Sequence, residues 1–467
     1  MPGISVNSSS DRSLRRFFSL KAFGVFCLLA FFFLLGVIFL PWDAKAPQDA
    51  DLRFSPLPLV PAENAFTYFE AAGRKQISYF AYPNEKPTRW TEANLDCRMG
   101  SSYEQWDPVF ADTVLAANAA ILKEVEAGLA CEHYASPPIN DFNTPLPWLS
   151  DYKELVALLS LKSKRAQLSG DPAAAALAAT QGWRLGQLVT NEANCHLEWL
   201  IGITCQQIAL VRLEELAADA ATPAPVLREL LASLNGWDRQ GPVRGYRQAM
   251  QGEYRYKRNL TGQLLCGELK LVDVPQSFGR IPYALKNNMT ATLMAAFFRN
   301  LIENADRPYA QINLDYPGKP KEPVEFLDQV RQIACPNSIG KTLFFMTSGL
   351  GQSLCKQCQI QATVAALRLK VALRLYEQQH GQLPADLGAL VPEYLKEIPL
   401  DPYDGKPFRY SKPEKKVWVV GRDLVDDGGK PDEDAIMIDR RLGHDAVMPL
   451  GTREMKPNLV QPPAVEK

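Results

Sequence analysis

The spacing of apolar residues divides the chain into three regimes. There is one uninterrupted apolar run, then a long stretch with helical spacing, then a C-terminal segment where helical spacing gives way to short alternating strands. From Ala22 to Leu40 the sequence AFGVFCLLAFFFLLGVIFL holds 19 residues without a charge. At about 1.5 Å per helical residue this covers a hydrocarbon core of about 30 Å, which predicts a transmembrane helix over 22–41. Residues 42–61 are rich in proline and read as an extended spacer.

From Glu63 to Leu354 the pattern is helical. Leu155, Leu158, Leu159, Leu161, Ala166 and Leu168 form a broad apolar face. Gly170-Asp171-Pro172 then ends one helix and begins the next, since glycine suits the position after a helix, aspartate the N-cap and proline the first turn. The second helix runs to about Thr190. A third follows, with Leu197, Leu200, Ile201, Ile208, Val211 and Leu216 expected inside. LSGDPAAAALAATQGWRLG resembles one tetratricopeptide-type hairpin. Residues 62–350 are therefore expected to form an irregular, tetratricopeptide-like helical domain.

Past Gln359 one helix carries two apolar stripes, Ile360, Val364, Leu367, Val371 and Ala366, Leu369, Leu373, Tyr376. Two stripes mean packing on more than one side. The helix should end at His380-Gly381. A short helix follows with Leu387, Leu390 and Val391, then strands near Phe408–Tyr410 and Val417–Val420, with turns at Asp404-Gly405 and Lys412-Pro413. The fold class is thus mainly α: a transmembrane helix, an irregular helical domain and a small α+β module over 355–443, with 444–467 as an extended tail.

Charge orients the anchor. Arg12, Arg15, Arg16 and Lys21 precede it, against Asp11, and Asp43, Lys45, Asp49 and Asp51 follow it. This leaves 1–21 as a cytoplasmic tail and the bulk of the chain outside the cytoplasm. Trp42 falls at the far boundary. A cleaved signal peptide is the alternative, with Ala44-Lys45-Ala46 offering small residues; Pro47 just after them, and an apolar run beyond the usual 7–15 or so residues, favour retention. Overall, 51 Lys and Arg balance 52 Asp and Glu, which gives no drive toward nucleic acid. The expected partners are membrane lipid through 22–41 and proteins of the envelope.

Eight of nine cysteines lie beyond the anchor. In an oxidising compartment an even number favours bridging. Cys97 with Cys131, and Cys335 with Cys355 or Cys358, are the candidate disulfides, a redox role for Cys355-Lys356-Gln357-Cys358 being the alternative. RGYRQAMQGEYRYKR over 244–258 interleaves Arg244, Arg247, Arg255, Lys257 and Arg258 with Tyr246, Tyr254 and Tyr256. It reads either as a solvated face with snorkelling side chains or as a grip for an anionic glycan or lipid headgroup.

The segment LRLYEQQHGQLPADLGALVPEYLKEIPLDPYDGKPFRY, followed by VVGRDLVDDGG, resembles the periplasmic head of type II secretion major pseudopilins. Tyr376, Gly381, Pro384, Leu387, Leu390, Val391, Pro399, Asp401, Pro402, Gly405, Pro407, Tyr410, Gly421, Asp423 and the acidic loop carry the resemblance, over about 85 residues. It departs from pilins in two ways: the head begins more than 300 residues after the apolar run, and Leu29 stands where pilins place an assembly glutamate. The resemblance implies a bacterial inner-membrane protein whose head does not polymerise. It also implies calcium in the acidic loop.

That loop packs Asp423, Asp426, Asp427, Asp432, Glu433 and Asp434 into twelve residues. Such charge is either a solvated turn or the oxygen-rich set a hard cation takes. Asp423, Asp427, Asp432 and Asp434 are the candidate ligands. No catalytic or cofactor-binding residue stands out, since GxSxG, HExxH, P-loop and dinucleotide patterns are lacking. The expected function is a membrane-anchored envelope scaffold or binding protein tied to secretion or envelope organisation. An envelope-polymer hydrolase using carboxylates such as Glu192 or Glu198, and a ligand-binding ectodomain, are the alternatives.

Overall fold

The computed structural model describes residues 42–54, 58–75, 108–139, 144–266, 283–316, 335–345, 348–430 and 445–452, together with Phe23, Lys319 and a helix, α1, over 25–36. The fold is mainly helical with one small sheet. The chain divides into two compact units. One comprises Met1–Asp49, Lys257–Phe297 and Pro317–Ser348; the larger comprises Ala50–Tyr256, Phe298–Tyr316 and Gly349–Lys467.

In the larger unit the first helices are α2 (Ala65–Arg74), α3 (Pro108–Ala117), α4 (Ala119–Leu129), α5 (Trp148–Leu168), α6 (Pro172–Asn191) and α7 (His196–Ala218). The α5–α6 turn is built as its sequence demands. Gly170 adopts φ +82°, which a side chain would resist, and the Asp171 carboxylate accepts the Ala174 N–H at 2.9 Å. α5 and α7 both pack on α6. The α6–α7 contact is close because it is lined with small residues: a Cβ on Gly186 would stand 2.6 Å from the Gln206 nitrogen, and one on Gly202 would meet Thr190.

The buried face of α7 is not the one expected from periodicity. Leu216 is buried, but Leu197 is 50% exposed and Leu200, Ile201, Ile208 and Val211 are only partly covered. Trp199, Ile203, Cys205, Gln206, Ala209, Leu210 and Leu213 form the core instead. Small residues on that face admit α6, and Arg212, Glu214 and Glu215 are buried beside them. Hydropathy alone assigns those charges to solvent.

α8 (Ala224–Asn235) and α9 (Gly241–Cys266) follow. Gly245 and Gly252 of α9 lie so close to the 190–194 segment that a Cβ on either would overlap a carbonyl oxygen, of Thr190 and Asn194 respectively.

The C-terminal helix, α12 (Ser353–His380), fulfils the two-stripe reading: nearly every residue from Ser353 to Leu375 is buried. It packs against α7 and α8 and also carries β2 and β3. Gly381 ends it at φ +76°. The expected module boundary near 355 therefore falls inside one compact unit, with the helix shared between the helical layers and the head. The sheet is antiparallel in the order β1 (Arg409–Ser411), β2 (Lys416–Val419), β3 (Ala446–Pro449), with Tyr410 opposite Val417 and Val417 opposite Met448. Val417, Val419 and Met448 are buried. β3 corrects the expectation of an extended tail from 444: the segment Ala446–Pro449 pairs with β2.

The smaller unit contains α1, α10 (Asn287–Asn304) up to Phe297, and α11 (Ser338–Phe345). α1 exposes apolar side chains on all sides, Phe26 by 68% and Phe33 by 74%. Among the described residues no helix is long and apolar enough to cross a membrane; residues 1–22 and 37–41 lie outside them.

The proline-rich stretch is not a free spacer where it is described. In the smaller unit, Asp43 caps α10, its carboxylate accepting the N–H groups of Asn288 at 2.8 Å and Met289 at 3.2 Å. Asn288 Nδ2 donates to the Ala44 carbonyl, and Lys286 Nζ donates to that of Trp42 while standing 3.7 Å over its ring. In the larger unit, Ala50–Leu52 forms a 3-10 turn with Leu52 buried, and Asp51 takes a two-pronged bond from Arg299 at 2.7 and 2.8 Å. Each polar group found a partner on a helix distant in sequence, and no local pattern reveals that.

Candidate cation-binding loop and the buried carboxylates

The acidic loop leaves β2 at Val420 and is organised by one arginine. Arg409 Nη1 donates to Asp401 at 2.5 Å, Nη2 to Asp404 at 2.6 Å and Nε to Asp426 at 3.1 Å. A guanidinium fork suits this role because its N–H groups lie in one plane at fixed angles. Asp401 is fully buried and also accepts the N–H groups of Tyr403 at 2.8 Å and Val420 at 2.9 Å. Burial pushes its pKa up to about 6 against the pull of those donors and Arg409. Burial works the same way at Asp404, but the bond and charge of Arg409 prevail and hold it below the ordinary range. Asp426 is lowered by the Trp418 indole, which donates at 3.0 Å, and by Arg409.

Of the four predicted metal ligands, Asp423 and Asp427 are described; Asp432 and Asp434 lie outside the described residues. Asp423 is exposed, with Oδ1 accepting the Val425 N–H at 3.1 Å. Among the described residues no group of three or more His, Cys, Asp or Glu is placed to hold a metal. One carboxylate in this region escaped the sequence reading. Asp445, just before β3, is 5% exposed; its Oδ2 accepts the Gly429 N–H at 2.7 Å and its Oδ1 has no hydrogen-bond partner. Burial, with the charges of Asp426 and Asp427, raises its pKa. Its number places it outside the acidic run, and only the β2–β3 pairing brings it to the glycine pair at φ +74° and +66°.

Among the described residues no disulfide joins the candidate cysteines Cys131, Cys335, Cys355 and Cys358 to one another, and Cys97 lies outside the described residues. Cys131 Sγ is 3.8 Å from the carbonyls of Ala62 and Ala127, and Cys335 Sγ is 3.0 Å from Lys341 Nζ. Cys355 and Cys358 are buried in the first turns of α12, where desolvation pushes Cys358 up to about 12. A thiol held neutral in this way is a poor nucleophile.

The arginine–tyrosine stretch serves the fold. Tyr246 packs edge-on to Trp199 and Tyr254 to Phe298. Arg244 pairs with Asp238 at 2.7 Å, Arg247 reaches the Ile302 carbonyl, Arg255 the Phe54 carbonyl and Arg258 the Asn287 side chain.

Glu192 and Glu198, the carboxylates weighed for hydrolysis, part company. Glu192 is at the surface, its Oε1 3.0 Å from His133 Nδ1 and its Oε2 accepting the Tyr134 N–H at 2.8 Å. Its hydrogen bond raises the His133 pKa. Glu198 is 1% exposed and sits in a nest of uncharged donors: Tyr134 Oη at 2.5 Å, Ser136 Oγ at 3.0 Å and Asn194 N at 2.7 Å. Burial raises its pKa despite them. Both its oxygens are occupied by the protein itself, an arrangement suited to holding the 134–136 segment against α7.

A second buried polar group joins α7 to α12. Lys370 donates to Glu214 at 2.5 Å, and Arg212 pairs with Glu215 and donates to Gln167 at 2.8 Å. Arg374 reaches the carbonyls of Ala217 at 2.7 Å and Thr222 at 3.2 Å, closing the C-terminal end of α7.

No family model matches the chain, and no curated protein or solved structure matches it either.

Proposed function

We propose that the chain is a membrane-anchored envelope scaffold or binding protein in which a pseudopilin-like head has been built permanently into a helical domain. The burial of α12 on both stripes supports this reading. A pilin assembles by offering its long helix to neighbouring subunits. Here that helix is occupied within its own chain by α7, α8 and the sheet, and the charged contacts of Lys370 and Arg374 hold it there. The head therefore acts as a fixed platform, and its exposed apolar side chains, among them Leu400, Leu424 and Val425, are available to protein partners. The tetratricopeptide-like likeness of α5–α6 fits the same scaffold role.

The exposed apolar surface of α1, continued in sequence by residues 37–40, supports anchorage at the inner membrane. The full chain should remain in membranes after carbonate washing, with a reporter fused after Lys467 reading as extracytoplasmic. Release of a mature chain into the soluble envelope fraction would overturn the anchored reading.

A second reading concerns calcium. The unpartnered, buried Asp445 Oδ1 beside Asp427 favours a cation there, because an orphaned carboxylate oxygen costs free energy that a hard cation removes. Calcium would bind through Asp445 and Asp427, with Asp423, Asp432 and Asp434 as further oxygens, and would fix the loop against β3. Calorimetric titration of the full chain with calcium should show binding that Asp445→Asn abolishes. Absence of heat and of any rise in melting temperature at millimolar calcium would end the idea.

A further inference from the structure

The strap that follows the apolar run sets how far the smaller unit stands from the bilayer. Leu40 is the last apolar residue of 22–40, and Asp43 is three residues on. Three residues, even fully extended, span no more than about 11 Å. The Asp43 carboxylate accepts the Asn288 and Met289 N–H groups in the first turn of α10. That turn therefore lies within about 15 Å of the hydrocarbon edge, counting the side chain and hydrogen bond. The headgroup layer is about 5–7 Å deep on each side.

The residues gathered there suit that layer. Trp42 is 42% exposed, as a ring at the boundary of water and lipid is; the buried Lys286 ammonium, 3.7 Å from the ring, fixes it in place. Asn337 ties the start of α11 to the same point, accepting the Lys286 N–H at 2.8 Å and the Thr290 hydroxyl at 2.9 Å. Asn287, Asn288 and Met289 form a partly exposed, uncharged rim around them. Further along the strap, Asp49 faces Arg258 at 3.9 Å, so the segment has little freedom to lift the unit away.

We infer that the first turn of α10, with the Trp42 ring that Lys286 holds beside it, rests in the phospholipid headgroup layer, making the smaller unit a collar on the membrane surface. The inference rests on the reading of 22–40 as a membrane anchor. The full chain, with Cys27, Cys97, Cys266 and Cys335 replaced by alanine, is reconstituted in phosphatidylcholine–phosphatidylglycerol vesicles. One preparation carries a fluorophore on Met289→Cys and another on Phe33→Cys, each first shown to retain the parent's circular dichroism. Headgroup-attached nitroxide lipids should reduce fluorescence at position 289 by at least about twofold, and acyl-chain nitroxides should do so at position 33. Quenching at 33 with none at 289 would overturn the collar and leave the anchor standing. No quenching at 33 would overturn the anchor, and the collar with it.

Discussion

Two buried polar clusters hold the larger unit together in opposite ways. The Glu198 nest places one carboxylate among neutral donors, and its members, Tyr134, Ser136 and Asn194, belong to segments that end up beside the start of α7. At the seam between α7 and α12 full charges pair: Lys370 reaches Glu214 across 156 residues of sequence, and beside them Arg212 pairs with Glu215 within α7. In the nest each donor is individually modest, and loss of one leaves others on the carboxylate. In the seam charge meets charge inside the fold, so removing either partner takes a full opposite charge away from a buried ion. The nest therefore fixes local geometry, while the seam makes the helical layers and the head interdependent.

The largest effect should come from breaking the seam on one side. Lys370→Ala takes the ammonium away from Glu214, which is 5% exposed, and should destabilise by about 3–5 kcal/mol. Lys370→Met combined with Glu214→Leu should recover most of that loss. Urea unfolding of the two variants checks this; equal losses would mean that packing, and not the buried charge left behind, carries the cost.

Asp401 tests whether the head behaves as seam or nest. Its folded pKa, about 6, lies above the ordinary aspartate value because of burial. The folded state therefore binds this proton more tightly than the unfolded chain. The resulting stabilisation is fully present below the unfolded pKa and is lost as pH rises through about 6. Relative to Asp401→Asn, the parent should gain about 2–3 kcal/mol as pH falls from about 7 to about 4. Parallel stability curves for the two proteins would refute the assignment. Asp404 and Asp426, whose values are lowered, act in the opposite sense and lose their contribution only at lower pH.

In the nest, Tyr134→Phe removes the shortest donor to Glu198 and should cost about 1.5–3 kcal/mol, less than the seam variant because Ser136 and Asn194 remain. Gly252→Ala is of similar size, because the new methyl would overlap the Asn194 carbonyl, a backbone atom that must shift, and should cost about 3 kcal/mol. Thermal melts rank the two; a Tyr134 variant costing as much as Lys370→Ala would erase the distinction between the clusters.

Local signals settled much of this protein before any contact was known. Gly170-Asp171-Pro172 placed a helix boundary, Gly381 ended α12, and the two apolar stripes on α12 announced burial on both sides. These depend on backbone conformation and on spacing within a few turns, which neighbouring residues determine. Tertiary structure decided the remainder. It turned Arg212, Glu214 and Glu215 inward on α7 and brought Leu197 outward. It also bound the proline-rich strap through Asp43 and Asp51, and it drew Ala446–Pro449 into the sheet so that Asp445 met the acidic loop. For Glu214, Asp43, Asp51 and Asp445 a polar group's place depends on a partner tens to hundreds of residues away, and only folding supplies that partner and makes the burial of a charge tolerable.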